Sequence, residues 1–124
     1  MIRFADEEFE ELVAEALDSV PAEFLGYLEN VLIEVADLPD RETADGLGLT
    51  SRRHLLGLYH GVPLTERSVS HSGRLPDRIV LYKRNIEDCC RSREQVVEQV
   101  RKTVLHEVGH HFGLDEDDLD EKGY

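Results

Sequence analysis

R-K-T-V-L-H-E-V-G-H-H-F-G-L-D-E-D-D-L, Arg101 to Leu119, is the stretch whose reading decides the fold. Its apolar residues recur every three to four positions, the period of a helix. With Val97 set at zero and a turn of about 100° per residue, Val100, Val104, Val108 and Phe112 fall within roughly 60° of it. On the same wheel His106 and His110 fall near about 180° and 220°. One face of the helix therefore enters a core and the opposite face offers two histidines to a cleft. Gly113 stands just past the last periodic residue, where a C′ glycine turns the chain back. Upstream, Ser92 or an adjacent residue starts this helix, which runs through Phe112.

Inside the stretch, His106, Glu107 and His110 spell H-E-x-x-H. Residues four apart on a helix lie about 6 Å from one another, so two imidazoles can share one metal ion. Glu107, on the flank beside His110, is placed to hold and deprotonate a water on that metal. A catalytic zinc ordinarily has three protein ligands and one open position. In the metzincin arrangement H-E-x-x-H-x-x-G-x-x-H, a glycine turns the chain and the third ligand lies ten residues beyond the first histidine. His106, Glu107, His110 and Gly113 match, and the tenth position is Glu116. Oxygen ligation suits zinc, so Glu116 is the expected third ligand. Asp115 and Asp117 are alternatives, since a one-residue change in the turn would present either. The plainer reading of this acidic run is a solvated surface.

Working back along the chain, Asp6 can cap a first helix whose apolar face is Phe9, Leu12, Val13, Ala16, Leu17 and Val20. Pro21 suits the first position of a short second helix through about Glu29. V-L-I-E-V-A-D, Val31 to Asp37, is rich in β-branched residues and reads as a strand. Leu38 to Arg53 reads as a loop. L-L-G-L-Y-H-G-V-P, Leu55 to Pro63, reads as a strand with glycines that permit close backbone approach. Leu64 to Asp77 reads as a second loop, and R-I-V-L-Y-K-R-N, Arg78 to Asn85, as the clearest strand. The closing D-E-D-D-L-D-E-K-G-Y reads as a turn and a short helical piece. The order α-α-β-β-β-α implies one α+β domain over 1–124, with a small mixed sheet of about three strands packed on helices.

Composition narrows the class. The chain has 124 residues, 40% of them hydrophobic, enough for a single core. No apolar run approaches the length of a membrane span, and the acidic N-terminus lacks the apolar stretch of a signal peptide. Adjacent Cys89 and Cys90 are poor disulfide partners and form no C-x-x-C pair, which fits a cytoplasmic protein with free thiols. The net charge of −13 argues against nucleic acid as a partner. That charge is uneven: residues 1–45 carry 14 acids and 2 bases, whereas residues 46–105 carry 6 acids and 11 bases. A solvated acidic surface explains this most simply. A basic middle that faces an acidic substrate is the functional alternative.

The chain resembles the small bacterial zincin-like metallopeptidases, or minimal zincins. The resemblance rests on H-E-V-G-H-H-F-G-L-D-E-D-D-L and extends to G-L-Y-H-G-V-P-L-T-E-R and to I-V-L-Y-K-R-N-I, covering most of residues 50–119. It implies a compact α+β fold, zinc and proteolytic activity. By analogy with larger zincins, Leu55–His60 would be the sheet edge along the cleft and would pair with an extended peptide or protein substrate by strand addition. One departure is that the only methionine is Met1, so no Met-turn underlies the metal.

Other candidates receive modest roles. His111 falls near about 320°, within the apolar stripe, and is expected to be a packed core histidine. Tyr59 and His60 could donate to an oxyanion but are expected simply to build their strand. His54 and His71 are expected to be exposed in loops, and the two cysteines to be structural. The sequence thus points to a zinc-dependent metallopeptidase: His106, His110 and Glu116 on Zn²⁺, and Glu107 as general base. The alternative is a zinc-binding interaction module without significant proteolysis. Neither the substrate nor the oligomeric state is written in the sequence.

Overall fold

The computed structural model describes residues 2–48, 52–61 and 77–113. In chain order the elements are α1 (Asp6–Asp18), α2 (Ala22–Leu28), β1 (Val31–Ala36), α3 (Arg41–Gly46), a single 3₁₀ turn (Arg52–His54), β2 (Gly57–His60), β3 (Asp77–Tyr82), α4 (Lys83–Asp88) and α5 (Arg93–His111). The fold is α+β, as expected. Its sheet is mixed, in the order β1-β3-β2, with β1 parallel and β2 antiparallel to the central β3.

The core lies between one face of this sheet and α1 and α5. Strand alternation puts Ile33 and Val35 beside Ile79 and Leu81 on that face, with Gly57 and Tyr59 in register on β2. Phe9, Leu12 and Ala16 of α1 and Val96, Val100, Val104, Leu105 and Val108 of α5 complete the cluster with Phe24 and Ile86. Burial of each large side chain among these contributes about 1.5–3 kcal/mol. The wheel of the long helix is met along its valines but not in its last turn. Phe112 lies past the core, 47% exposed, and rests on the Tyr27 ring with centroids 4.6 Å apart.

Several boundaries differ from the sequence reading for local reasons. Helix α1 is capped by Ala5, whose N–H donates to the Glu8 carboxylate, so Asp6 sits inside the first turn rather than at the cap. Pro21 is likewise the N-cap of α2 rather than its first residue. Asp40 accepts from the Thr43 N–H at 2.7 Å and starts α3 within what reads as a loop. The third strand stops at Tyr82, and residues 83–85 begin α4 instead of continuing it. No glycine or proline marks that change. Pro63, His71, most of the second predicted loop and the acidic C-terminal run lie outside the described residues.

Helix α4 buries three polar side chains, Lys83, Asn85 and Glu87. Glu87, 1% exposed, accepts from the Phe4 N–H at 2.8 Å and pairs with Lys83 at 3.0 Å, with Arg3 close by. Asn85, 2% exposed, donates both amide protons, to the carbonyls of Arg52 and Leu55, each at 2.7 Å. Through Asn85 the core grips the segment that leads into β2.

Candidate metal centre and cleft

Helix α5 presents His106 and His110 on one face, one turn apart, with ring centroids 5.9 Å apart and planes at 73°. Two imidazoles on a tetrahedral zinc, each with one nitrogen about 2.0–2.1 Å from it, would have centroids roughly 5.2 Å apart, so a small rotamer adjustment would bring this pair onto a shared metal. His106 is half-buried and His110 exposed, which leaves the face open to solvent. Among the described residues no group of three or more His, Cys, Asp or Glu is arranged to hold a metal ion. Glu116, the expected third ligand, and its alternatives Asp115 and Asp117 lie outside the described residues. Gly113 has φ of +89°, the left-handed conformation expected where the chain turns after the helix.

Glu107 does not simply face solvent. Its Oε1 accepts from the main-chain N–H of Tyr59 on β2 at 3.0 Å. Register explains why that N–H is available. The Tyr82 N–H donates to the Leu56 carbonyl, so Leu56, Leu58 and His60 turn their backbone groups toward β3. Gly57, Tyr59 and Gly61 therefore turn theirs outward, and Glu107 takes one of these edge donors. Burial pushes the Glu107 carboxyl above the usual carboxylate range, against the opposing effects of the Tyr59 N–H, His110 and His106.

The close approach of β2 to α5 depends on glycine. A Cβ on Gly57 would sit 2.6 Å from Thr103 Cγ2 and 3.2 Å from the Val80 carbonyl oxygen. Farther along, the Tyr59 ring stacks on His111 with centroids 3.9 Å apart, and the Tyr59 hydroxyl donates to Asp77 at 2.7 Å. His111, expected in the core, thus lies at the surface, because α5 has run beyond the buried cluster by that turn. His60 points to the other face of the sheet, beside Arg78 and Glu34, where burial holds its imidazole below the usual range.

Between the helix and the β2 segment lies an open cleft of about 410 Å³, which holds His106, Glu107 and His110. Its remaining walls are His54, Leu56, Gly57, Gln99, Lys102 and Thr103. The sequence reading missed Gln99, Lys102 and Thr103, although Lys102 lies four residues before His106 and helical periodicity puts it on the same face. His54, taken for a loop residue, reaches the cleft because Asn85 fixes its turn. The cysteines are elsewhere and form no disulfide, Cys89 exposed and Cys90 buried. Burial and the neighbouring Cys89 push the Cys90 thiol up to about 12, the reverse of an activated nucleophile. Among the described residues no helix is long and apolar enough to cross a membrane.

A family model described as zincin-like metallopeptidase matches residues 28–124. No curated protein sequence matches the chain. Among solved structures, a conserved hypothetical protein from Thermus thermophilus is similar at a TM-score of 0.54 and 23% identity, over 95% of this chain and 99% of that one. At that identity the likeness concerns the fold, which the two share.

Proposed function

The chain belongs to the zincin-like metallopeptidase family, and from that premise we propose that it is a zinc-dependent peptidase. The observation that carries the reading is the Glu107 carboxylate, held by the edge of the sheet, between two histidines one helical turn apart. His106 and His110 would hold the ion, with Glu116 as the third ligand. A bound zinc would supply Lewis acidity and a water acidified to near neutral pH. Glu107 has one oxygen engaged by the Tyr59 N–H, which orients its second oxygen for proton transfer. A carboxylate placed there can take a proton from that water and return it to a leaving amine. The substrate peptide would lie along the outward edge of β2, within Leu55–His60. Tyr59 donates there to Glu107, so Gly57, and Gly61 just beyond that span, are the positions whose N–H is left to pair with a strand.

The test is metal analysis combined with a broad peptide library. The full chain, stripped and reloaded with zinc, is expected to hold one ion and to cut peptides. Glu107→Ala is expected to retain the ion and lose turnover. Failure to take up stoichiometric metal, or undiminished cleavage by Glu107→Ala, overturns the proposal. Metal uptake without cleavage of any peptide also overturns it and leaves a zinc-binding interaction module.

A further inference from the structure

Of the charge-bearing residues in the cleft, three are accounted for by the proposed chemistry: His106, His110 and Glu107. Two are not, Lys102 and His54. Lys102 precedes His106 by four residues, so Lys102, His106 and His110 form one line along the face of α5. A lysine in this setting would ordinarily pair with the acid four residues before it, which is Glu98. Glu98 is already engaged. Arg101 donates to it from Nε at 3.1 Å to Oε2 and from a terminal nitrogen to Oε1. Arg101 is also the principal cause of the lowered Glu98 carboxyl, with Lys102 a minor one. Among the described residues Lys102 has no ion-pair partner, and it stands in the wall of the cleft. The second candidate, the hydrogen-bond donor His54, lies on the wall that Asn85 clamps to the core through two 2.7 Å hydrogen bonds.

We propose that the cleft selects peptides carrying a carboxylate near the bond presented to Glu107, and that Lys102 is the specificity-determining residue that reads it. This rests on the peptidase reading and names its substrate class. The spacing supports it. Lys102 lies about 6 Å along the helix from His106, and an extended peptide advances about 3.3 Å per residue. The recognised acid therefore falls roughly two residues from the reacting carbonyl. The overall charge of −13 repels acidic ligands generally, so Lys102, the one lysine or arginine in the cleft wall among the described residues, discriminates by position. His54 on the opposite wall supplies a second donor to the same carboxylate.

The experiment uses two end-blocked peptide pools that are identical except for glutamate or glutamine at the central position. Binding is measured on the full-length Glu107→Gln chain, which holds peptide without cutting it. The glutamate pool is expected to bind at least roughly five-fold more tightly at low salt, with the margin narrowing as salt rises. Lys102→Met, an exposed change that favours the helix, is expected to erase the preference. Lys102→Glu is expected to turn it toward a lysine pool. Equal binding of both pools, binding of neither, or a preference that survives Lys102→Met overturns the proposal. The zinc-loaded parent is then tested for cleavage. A preference in binding without cleavage sinks the peptidase reading and leaves acid recognition standing. Cleavage without a preference does the reverse.

Discussion

The main-chain N–H of Tyr59 donates to Glu107 Oε1 at 3.0 Å, joining the edge strand β2 to the C-terminal half of α5. The carboxylate expected to move protons is therefore also a tie between two elements. Its replacement by alanine removes both roles at once.

Glu107→Gln separates them. The glutamine carbonyl keeps the bond from Tyr59, and loss of a partly buried charge relieves the desolvation that raises the Glu107 carboxyl. This variant is expected to melt at or above the parent temperature and to hold zinc. Its turnover is expected to fall by about 10²–10⁴-fold, the usual worth of a general base. Calorimetry with a peptide-cleavage assay checks both halves.

Gly57 sets the distance between β2 and α5. Gly57→Ala drives its new methyl against Thr103 Cγ2 and is expected to cost about 1–3 kcal/mol, the usual cost of overpacking. Thr103→Ser removes that methyl while keeping the hydroxyl that donates to the Gln99 carbonyl at 2.8 Å. The double variant is expected to recover much of the loss. A double-mutant cycle in denaturant measures the coupling, and additive losses would contradict the contact.

Asn85→Ala strips hydrogen bonds from two carbonyls at the cleft wall, those of Arg52 and Leu55. The expected loss is about 1–3 kcal/mol for each carbonyl left dry, less where water enters. Because the same wall carries His54 and leads into Gly57, peptide affinity is expected to fall in the fraction that still folds. Titration of that fraction with peptide reports the effect.

The two cysteines are expected to differ in behaviour. At about pH 8, near the ordinary thiol range, iodoacetamide is expected to label Cys89 readily and Cys90 only on unfolding, as mass spectrometry of timed samples would show. A folded-state thiol raised from 9.0 to about 12 also links stability to pH. Below about pH 9 both states keep the proton and the contribution is complete. As pH climbs from there toward 12 only the unfolded chain releases it, so stability falls across that window. Cys90→Ala is expected to flatten this alkaline decline.

Much of this arrangement was legible in the sequence because it follows from helical spacing. The histidine pair, the carboxylate beside them, the core stripe of valines and Gly113 all come from one period and one terminator. The three strands were legible from β-branched runs. The short helix after β3 was not, because I-V-L-Y-K-R-N-I passes from strand to helix without punctuation and is decided by the buried Lys83–Glu87 pair and buried Asn85. The helix at Arg41–Gly46 was signalled only by the Asp40 cap. The bond from Tyr59 to Glu107 spans 48 residues, so no local pattern announces it. The same holds for the clamp that brings His54 into the cleft.

Glu87 ties the first residues of the protein to a helix 83 positions later, and α1 packs against α5. A chain emerging from the ribosome must therefore carry Phe9, Leu12 and Phe24 uncovered until the residues around Val108 have been made. The segment that closes this hydrophobic centre is the one that bears His106 and His110. Any metal that His106 and His110 take up would therefore arrive only once the core can close.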